Sequence, residues 1–175
     1  MRRNLEAQSM EMIRGMLTEK LENAEKVLIG IGSEWKMGEA DREERIAAAV
    51  KKLHTLIEKK DYYIISTLTK EELDRLGFES SHTVTPLDVS LTEEQWNQYT
   101  EWLARTLNRK LVLMELGEGF LHPSLIRWPF EKTAEINYKA HLYRIHKTFY
   151  QITDDIREKA TAVKGDSVEF FAEWN

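Results

Sequence analysis

Cysteine is absent from this sequence, and proline occurs only three times in 175 residues. Without thiols, the chain has no disulfide framework, no thiolate site for zinc or iron–sulfur clusters, and no cysteine nucleophile. It also lacks any apolar run near the ~20 residues that span a bilayer, and Met1–Asn4 leads into a helical pattern rather than an apolar signal core. These absences predict a cytoplasmic protein with no zinc and no membrane partner.

A basic excess is also missing, because 25 Lys and Arg residues stand against 30 Asp and Glu residues, which gives a net charge of −5. Nucleic-acid binding relies on surplus positive charge, so the sequence predicts no nucleic-acid partner. The chain does have a globular composition, with 42% hydrophobic and 31% charged residues. We find no internal repeat, low-complexity stretch or Pro/Gly linker, so we expect residues 1–175 to form a single domain.

Short apolar runs alternate with helical periodicity along the chain. The predicted strands are residues 26–31, 62–66, 111–116, 141–146 and 160–163. The predicted helices are residues 5–23 and 40–59, a short one after Thr69, one after Ser90 or Thr92, residues 129–140 and 148–158, and one after Asp166 or Ser167. Residues 78–89 show no period and are predicted to be loop. The alternation predicts an α/β fold, a Rossmann-like three-layer α/β/α arrangement with a central parallel sheet.

Small and hydroxyl residues follow three of the predicted strands. In parallel sheets, ligands bind beyond the carboxyl ends of the strands, where backbone N–H groups converge on anions. The predicted ligand-binding residues are Gly30, Gly32, Ser33, Thr67, Gly117 and Gly119. The first loop does not complete a dinucleotide fingerprint, because Trp35 stands where a third small residue is required. A plain turn that leaves the strand, with Trp35, Glu34 and Glu118 filling the edge or repelling phosphate, is the alternative interpretation.

Histidines and arginines give no clear catalytic pattern. None of the five histidines has a metal-binding spacing with a carboxylate between, and only His122 and His146 fall on the predicted ligand edge. No residue is assigned as a nucleophile, because scattered hydroxyls do not define a triad. We expect Arg127 and Arg144 to form structural ion pairs with nearby glutamates, namely Glu115, Glu118 and Glu131.

Several stretches resemble the sirtuin family. Residues 27–33, VLIGIGS, resemble its glycine motif, and residues 62–78 resemble its strand-loop-helix that reads T-x-N-x-D. The later segments LMELGEG, IRWPFE and YRI are similar to nucleotide loops of a bacterial sirtuin-like branch, and KGD at 164–166 resembles the turn near adenine. The resemblance implies the NAD-binding topology shared by sirtuins and deoxyhypusine synthase, with NAD or ADP-ribose as ligand.

The sequence also departs from the family pattern. The family's catalytic asparagine falls on Leu68 and its aspartate on Lys70. Only about a dozen residues separate Phe78 from Leu91, where a full member inserts its zinc module and the loop with its catalytic histidine. The resemblance therefore implies a minimal domain that has lost the deacylase chemistry, so no catalytic residue and no zinc are assigned.

Three functional hypotheses follow. The first is a catalytically degenerate sirtuin-like domain that binds NAD, ADP-ribose or a related nucleotide. The second is an enzyme of another class, a hydrolase that acts on NAD or a nucleotide with a rebuilt site drawn from Glu34, Glu115, Glu118 or His122. The third is a structural or partner-binding protein with no small-molecule ligand. A homo-oligomer is compatible with each of them.

Overall fold

The computed structural model of the chain describes residues 2–175 and contains one sheet of six parallel strands in the order β3-β2-β1-β4-β5-β6. The strands are β1 (Lys26–Ile31), β2 (Tyr62–Ser66), β3 (Thr83–Val84), β4 (Leu111–Leu116), β5 (Ala140–His146) and β6 (Ala160–Lys164). The helices are α1 (Arg2–Asn23), α2 (Ala40–Ile57), α3 (Lys70–Arg75), α4 (Glu93–Ala104), α5 (Arg127–Ile136) and α6 (Ser167–Ala172). Short 3₁₀ helices lie at Ser33–Trp35, Ser80–His82 and Asp154–Lys159.

The predicted three-layer α/β fold is confirmed, and its strand order is that of a doubly wound Rossmann sheet. All five predicted strands are present. Strand β4 is buried at each of its six positions, because helices cover both faces of the sheet. Its continuous apolar run is the sequence pattern that such a strand requires.

Helices cover the sheet from two sides and form two hydrophobic clusters. On one side α1, α2 and α6 pack through residues such as Leu17, Leu53 and Phe171. On the other side α4 and α5 pack through Tyr99 and Phe130. Within residues 2–175, no helix combines the length and apolar character needed to cross a membrane.

Side-chain caps are present at two of the predicted helix starts. Thr69 and Thr92 each form a capping box, with Glu72 and Gln95 as the respective partners three residues on. The chain ends α3 at Gly77, whose φ of 80° is one that a residue with a side chain rarely adopts. These local signals place the loops that follow β2 and β3.

Two predictions about the secondary structure are wrong. Residues 78–89 include the short strand β3, whose two residues are too few to show a period. The predicted helix over 148–158 is absent, since residues 147–153 are irregular and only Asp154–Lys159 is 3₁₀. Buried arginine side chains bind the carbonyl oxygens of Phe149 and Gln151, which helix amides would otherwise use. The segment is therefore tied to the sheet instead of forming a helix.

Candidate functional site

A cleft of about 750 Å³ opens at the carboxyl edge of the sheet. The strand order reverses between β1 and β4, and the chain leaves these two strands toward opposite faces, which opens a crevice at their ends. The loops after β1, β2, β4 and β5 supply the walls, and the polar lining includes Ser33, Glu34, Thr67, Glu118, His146 and Lys147. A smaller groove of about 410 Å³ lies at the amino edge, beside α1.

The structure brings three of the six predicted ligand-binding residues to the cleft: Ser33, Thr67 and Gly119. The other three, Gly30, Gly32 and Gly117, are required by close packing. A Cβ on Gly30 would lie 2.5 Å from Ile126 Cγ2 of the loop before α5, and one on Gly32 would lie 2.3 Å from the Gly117 carbonyl oxygen. Gly117 itself has a φ of 68°. The loops after β1 and β4 therefore touch through their backbones.

Trp35 and Glu34 do not fill the cleft, as the alternative interpretation of the first loop would require. The Trp35 ring is fully buried in the core, and its indole N–H donates to Ser167 Oγ at 3.0 Å. The Glu34 carboxylate accepts hydrogen bonds from the Ser167 backbone N–H at 2.8 Å and from the Lys147 backbone N–H at 3.1 Å. Glu34 thus links the loop after β1 to α6 and to the loop after β5.

Glu118 is the least satisfied carboxylate of the cleft. Glu118 is only 3% exposed. Its Oε2 accepts one hydrogen bond, 2.9 Å long, from Thr67 Oγ1. Burial raises the pKa of Glu118 to about 7, although the bond from Thr67 acts in the opposite direction. A carboxyl group with such a pKa exchanges protons near neutral pH, which general acid–base chemistry requires.

His146 is held in one tautomer by the loop that follows it. Its Nδ1 accepts hydrogen bonds from the backbone N–H groups of Thr148 and Phe149, each 2.9 Å long. Burial lowers the pKa of His146, so the ring is neutral and carries its proton on Nε2. That nitrogen lies 3.8 Å from Glu34 Oε1. His146 is therefore a hydrogen-bond donor to the cleft and not a proton acceptor.

Two lysines add positive charge at the rim. Lys36 Nζ lies 3.2 Å from Glu72 Oε1, and Lys147 Nζ lies 2.8 Å from Asp166 Oδ2. Both lysines are largely exposed, so these ion pairs contribute little to stability. An anionic ligand can therefore compete for either ammonium group at small cost.

Behind the cleft, Glu115 binds two arginines. Its Oε2 lies 2.9 Å from Arg144 Nε, and its Oε1 lies 3.2 Å from Arg127 Nη1. Arg144 Nη1 also reaches Glu131 Oε1 at 2.9 Å. The predicted structural ion pairs are thus present for Glu115 and Glu131. Glu118 makes no ion pair among residues 2–175 and remains apart from this network.

Leu68 and Lys70, the two departures from the family pattern noted in the sequence, have no polar role in the cleft. Leu68 is buried at the cleft, and its side chain carries no hydrogen-bonding group. Lys70 Nζ turns away to pair with Asp74, one helical turn along α3. Neither side chain can hold a ribose or a water molecule as an amide or a carboxylate would.

Sequence reasoning places His146 on the ligand edge but gives it no role, and it gives no role to the aromatic residues Phe120 and Phe149 of the cleft lining. His146 is the last residue of β5, so its position at the carboxyl edge is the available signal. The sequence pattern predicts a helix over residues 148–158, and a helix there would not place Phe149 in the cleft. Among the described residues, no group of three or more His, Asp or Glu side chains is arranged to hold a metal ion.

Neither the models of known protein families nor the curated proteins match this chain.

Proposed function

We propose that this chain is a divergent sirtuin-like domain that binds a nucleotide, NAD, ADP-ribose or a related molecule, in the cleft at the carboxyl edge. The observation that carries the proposal is the position of the cleft, between β1 and β4 where the strand order reverses. Rossmann sheets bind their ligands at this point. The cleft volume of about 750 Å³ falls within the usual range for small-molecule sites.

The polar groups of the cleft suit the parts of a nucleotide. Ser33 and Thr67 offer hydroxyl groups, and His146 offers a neutral Nε2–H for a phosphate or ribose oxygen. Lys36 and Lys147 offer positive charge at the rim. Because the pKa of Glu118 is about 7, a large share of this residue is uncharged at neutral pH and does not repel phosphate.

We propose further that the domain lacks protein deacylase activity. The sirtuin reaction uses an asparagine and an aspartate, and Leu68 and Lys70 occupy the positions that match them. An acyl-lysine peptide incubated with NAD and the protein should remain intact in a mass-spectrometric assay. Removal of the acyl group at ordinary enzyme rates would contradict this part of the proposal.

A second candidate function is hydrolysis of the bound nucleotide, and the raised pKa of Glu118 is the observation that favours it. The carboxylates of Glu34 and Glu115 are already occupied by hydrogen bonds or ion pairs. With NAD as the ligand, the ionised Glu118 carboxylate takes a proton from a water molecule while the oxygen of that water attacks C1′ of the nicotinamide ribose, the bond from C1′ to the nicotinamide nitrogen breaks, and neutral nicotinamide leaves. The Glu118→Gln variant would then bind the nucleotide without releasing products, which chromatography of the reaction mixture would show.

Thermal unfolding with NAD, ADP-ribose and AMP tests the binding proposal. A ligand at ~100 times its Kd should stabilise the protein by about 2.7 kcal/mol. The Ser33→Glu variant places a bulky negative charge in the cleft and should weaken binding at least ~10-fold. Ser80→Glu, an exposed change at the amino end of β3, is the matched control and should bind as the wild type does.

No stabilisation by any of the three nucleotides at millimolar concentration would contradict nucleotide binding. The remaining hypothesis would then be a structural or partner-binding protein.

A further inference from the structure

Two phenylalanine rings lie open on one wall of the cleft. Phe120 is 53% exposed and Phe149 is 39% exposed, although both rings sit beside the buried end of the sheet. The rings meet edge to face, with centroids 5.3 Å apart and planes at 88°. The His146 ring lies 5.1 Å from Phe149 on the same wall. We call these two phenylalanines, Phe120 and Phe149, the aromatic wall.

One buried guanidinium group contacts the Phe120 ring and the backbone of Phe149. Arg127 is 4% exposed, and its guanidinium lies 4.1 Å from the centroid of the Phe120 ring. Its Nη1 donates to the Phe149 carbonyl oxygen at 2.9 Å. Since Phe120 follows β4 and Phe149 follows β5, Arg127 joins two separate loops into one surface.

The ion network behind the cleft holds Arg127 itself. Glu115 binds Arg127 and Arg144, and Arg144 Nη1 donates to the Gln151 carbonyl oxygen at 2.8 Å. A buried network of this kind is weak grounds for added stability, because desolvation of the charges offsets their attraction. Here it fixes the loop that carries Phe149 in an irregular conformation. The result is a rigid aromatic surface that faces the cleft.

Gly119 keeps this surface open. A Cβ at Gly119 would lie 3.4 Å from Phe149 Cδ2, so a longer side chain there would cover the ring. With glycine at this position, one region of the Phe149 ring remains accessible to a molecule in the cleft. Exposed aromatic faces in nucleotide-binding proteins stack on bases, which all have a π face.

We propose that the aromatic wall stacks against the base of the bound nucleotide, and that Arg127 is the positioning residue that holds the wall. This inference rests on the proposed nucleotide-binding function and specifies which part of the ligand the β4 and β5 loops recognise. The phosphate and ribose then lie toward Ser33, Thr67 and the two rim lysines. Loss of a base-stacking ring should weaken binding by about 10- to 100-fold.

The test compares AMP, which carries a base, with ribose 5-phosphate, which lacks one. Phe149→Leu and Phe120→Leu should weaken AMP binding by about 10- to 100-fold and leave ribose 5-phosphate within about 2-fold in calorimetric titrations. Trp128→Leu is the control, since Trp128 is an exposed aromatic residue outside the cleft lining. It should bind both ligands as the wild type does.

Arg127→Lys tests the positioning role, because a lysine keeps the charge but cannot contact both loops in the same way. It should reduce the preference for AMP over ribose 5-phosphate, whereas general damage to the cleft would weaken both ligands equally. Equal weakening, or unchanged AMP binding by Phe149→Leu, would overturn the stacking proposal alone. If the wild type binds neither ligand and is not stabilised by NAD or ADP-ribose, the proposed function itself is overturned and this inference falls with it.

Discussion

Glu115 and Glu118 are both buried at the carboxyl end of β4, where they are 1% and 3% exposed, but they have different partners. Glu115 points behind the cleft, and each of its carboxylate oxygens lies within 3.2 Å of an arginine nitrogen. Glu118 points into the cleft and accepts a hydrogen bond from Thr67. Two residues of the same type, three positions apart, thus belong to regions of different character.

Glu115 therefore belongs to the ion network behind the cleft, whereas Glu118 belongs to the candidate site. Burial raises the pKa of Glu115, while the guanidinium groups of Arg144 and Arg127 act to lower it and stabilise its charged form. Burial also desolvates Glu118, and the hydrogen bond from Thr67 and the charge of Arg127 offset this only in part, so its pKa rises to about 7. A buried carboxyl group with incomplete pairing is costly to the fold, and such groups concentrate where ligands bind or protons move.

The largest expected effect comes from Glu115→Gln. This substitution keeps the shape of the side chain but leaves the buried Arg127 guanidinium without its carboxylate partner and leaves the buried Arg144 with Glu131 alone. We expect the free energy of unfolding to fall by about 3–5 kcal/mol, as measured by urea denaturation at pH 7. Glu118→Gln is the matched control. If the free energy of unfolding of Glu115→Gln lies within ~1 kcal/mol of the wild-type value, the network does not support the fold.

The next largest effect is a pH dependence due to Glu118. The pKa of Glu118 is about 7 in the folded protein, above its ordinary value of 4.5 in an unfolded chain, so folding favours the protonated form. Its contribution to stability is fully present below pH 4.5 and is lost as the pH rises through 7, by about 3 kcal/mol in total. Relative to Glu118→Gln, the wild type should therefore lose stability between pH 4.5 and 8.

Denaturation of both proteins across this pH range checks the prediction. Glu43→Gln, a change at an exposed carboxyl group in α2, should follow the wild-type profile. Parallel profiles for the wild type and Glu118→Gln would contradict the raised pKa.

The fold could be predicted from the sequence because its main signals are local. Buried strands such as β4 appear as apolar runs, and capping residues such as Thr69 and Thr92 mark helix starts. The irregular segment 147–153 could not be predicted, because its conformation depends on Arg127 and Arg144 from other elements. Tertiary hydrogen bonds there outweigh the helical pattern of the sequence.

The candidate site could be predicted only in part. The carboxyl edge follows from the strand pattern, and Ser33, Thr67 and Gly119 do line the cleft. The sequence does not show which glycines serve packing, because the contact of Gly32 with the Gly117 carbonyl oxygen joins residues 85 positions apart. Nor does the sequence distinguish Glu115 from Glu118, because it does not show that Glu115 in β4 points behind the cleft whereas Glu118 in the loop after β4 lines it.

A third prediction compares Gly32 with Gly119. Gly32→Ala should cost about 1–3 kcal/mol in the free energy of unfolding, because its Cβ would lie 2.3 Å from the Gly117 carbonyl oxygen and 2.6 Å from Glu118 Cα. The side chain of Gly119→Ala would meet Phe149 at an ordinary contact distance of 3.4 Å, so we expect stability within ~1 kcal/mol of the wild type.

Thermal and urea unfolding of the two variants provide the measurement. The result also bears on any test of ligand binding with a substitution such as Gly32→Val, because a disturbed loop contact would weaken binding without any direct contact to the ligand. Equal stability of Gly32→Ala and Gly119→Ala would contradict the distinction between the packed loop contact and the open cleft.

The smallest expected effect concerns the single hydrogen bond that Glu118 accepts from Thr67. Thr67→Val keeps the shape of the side chain but removes the hydroxyl donor that lowers the pKa of Glu118. A net hydrogen-bond energy of about 1 kcal/mol corresponds to a rise in this pKa of about 0.7. Carbon-13 NMR of the glutamate carboxyl groups measures the change, and Ser33→Ala serves as the control because it removes a different hydroxyl group of the cleft. A lower pKa of Glu118 in Thr67→Val would mean that water or another donor stabilises the charged form better than Thr67 does. The carboxylate of Glu118 would then be as well partnered as that of Glu115, and the contrast between the two residues would not hold.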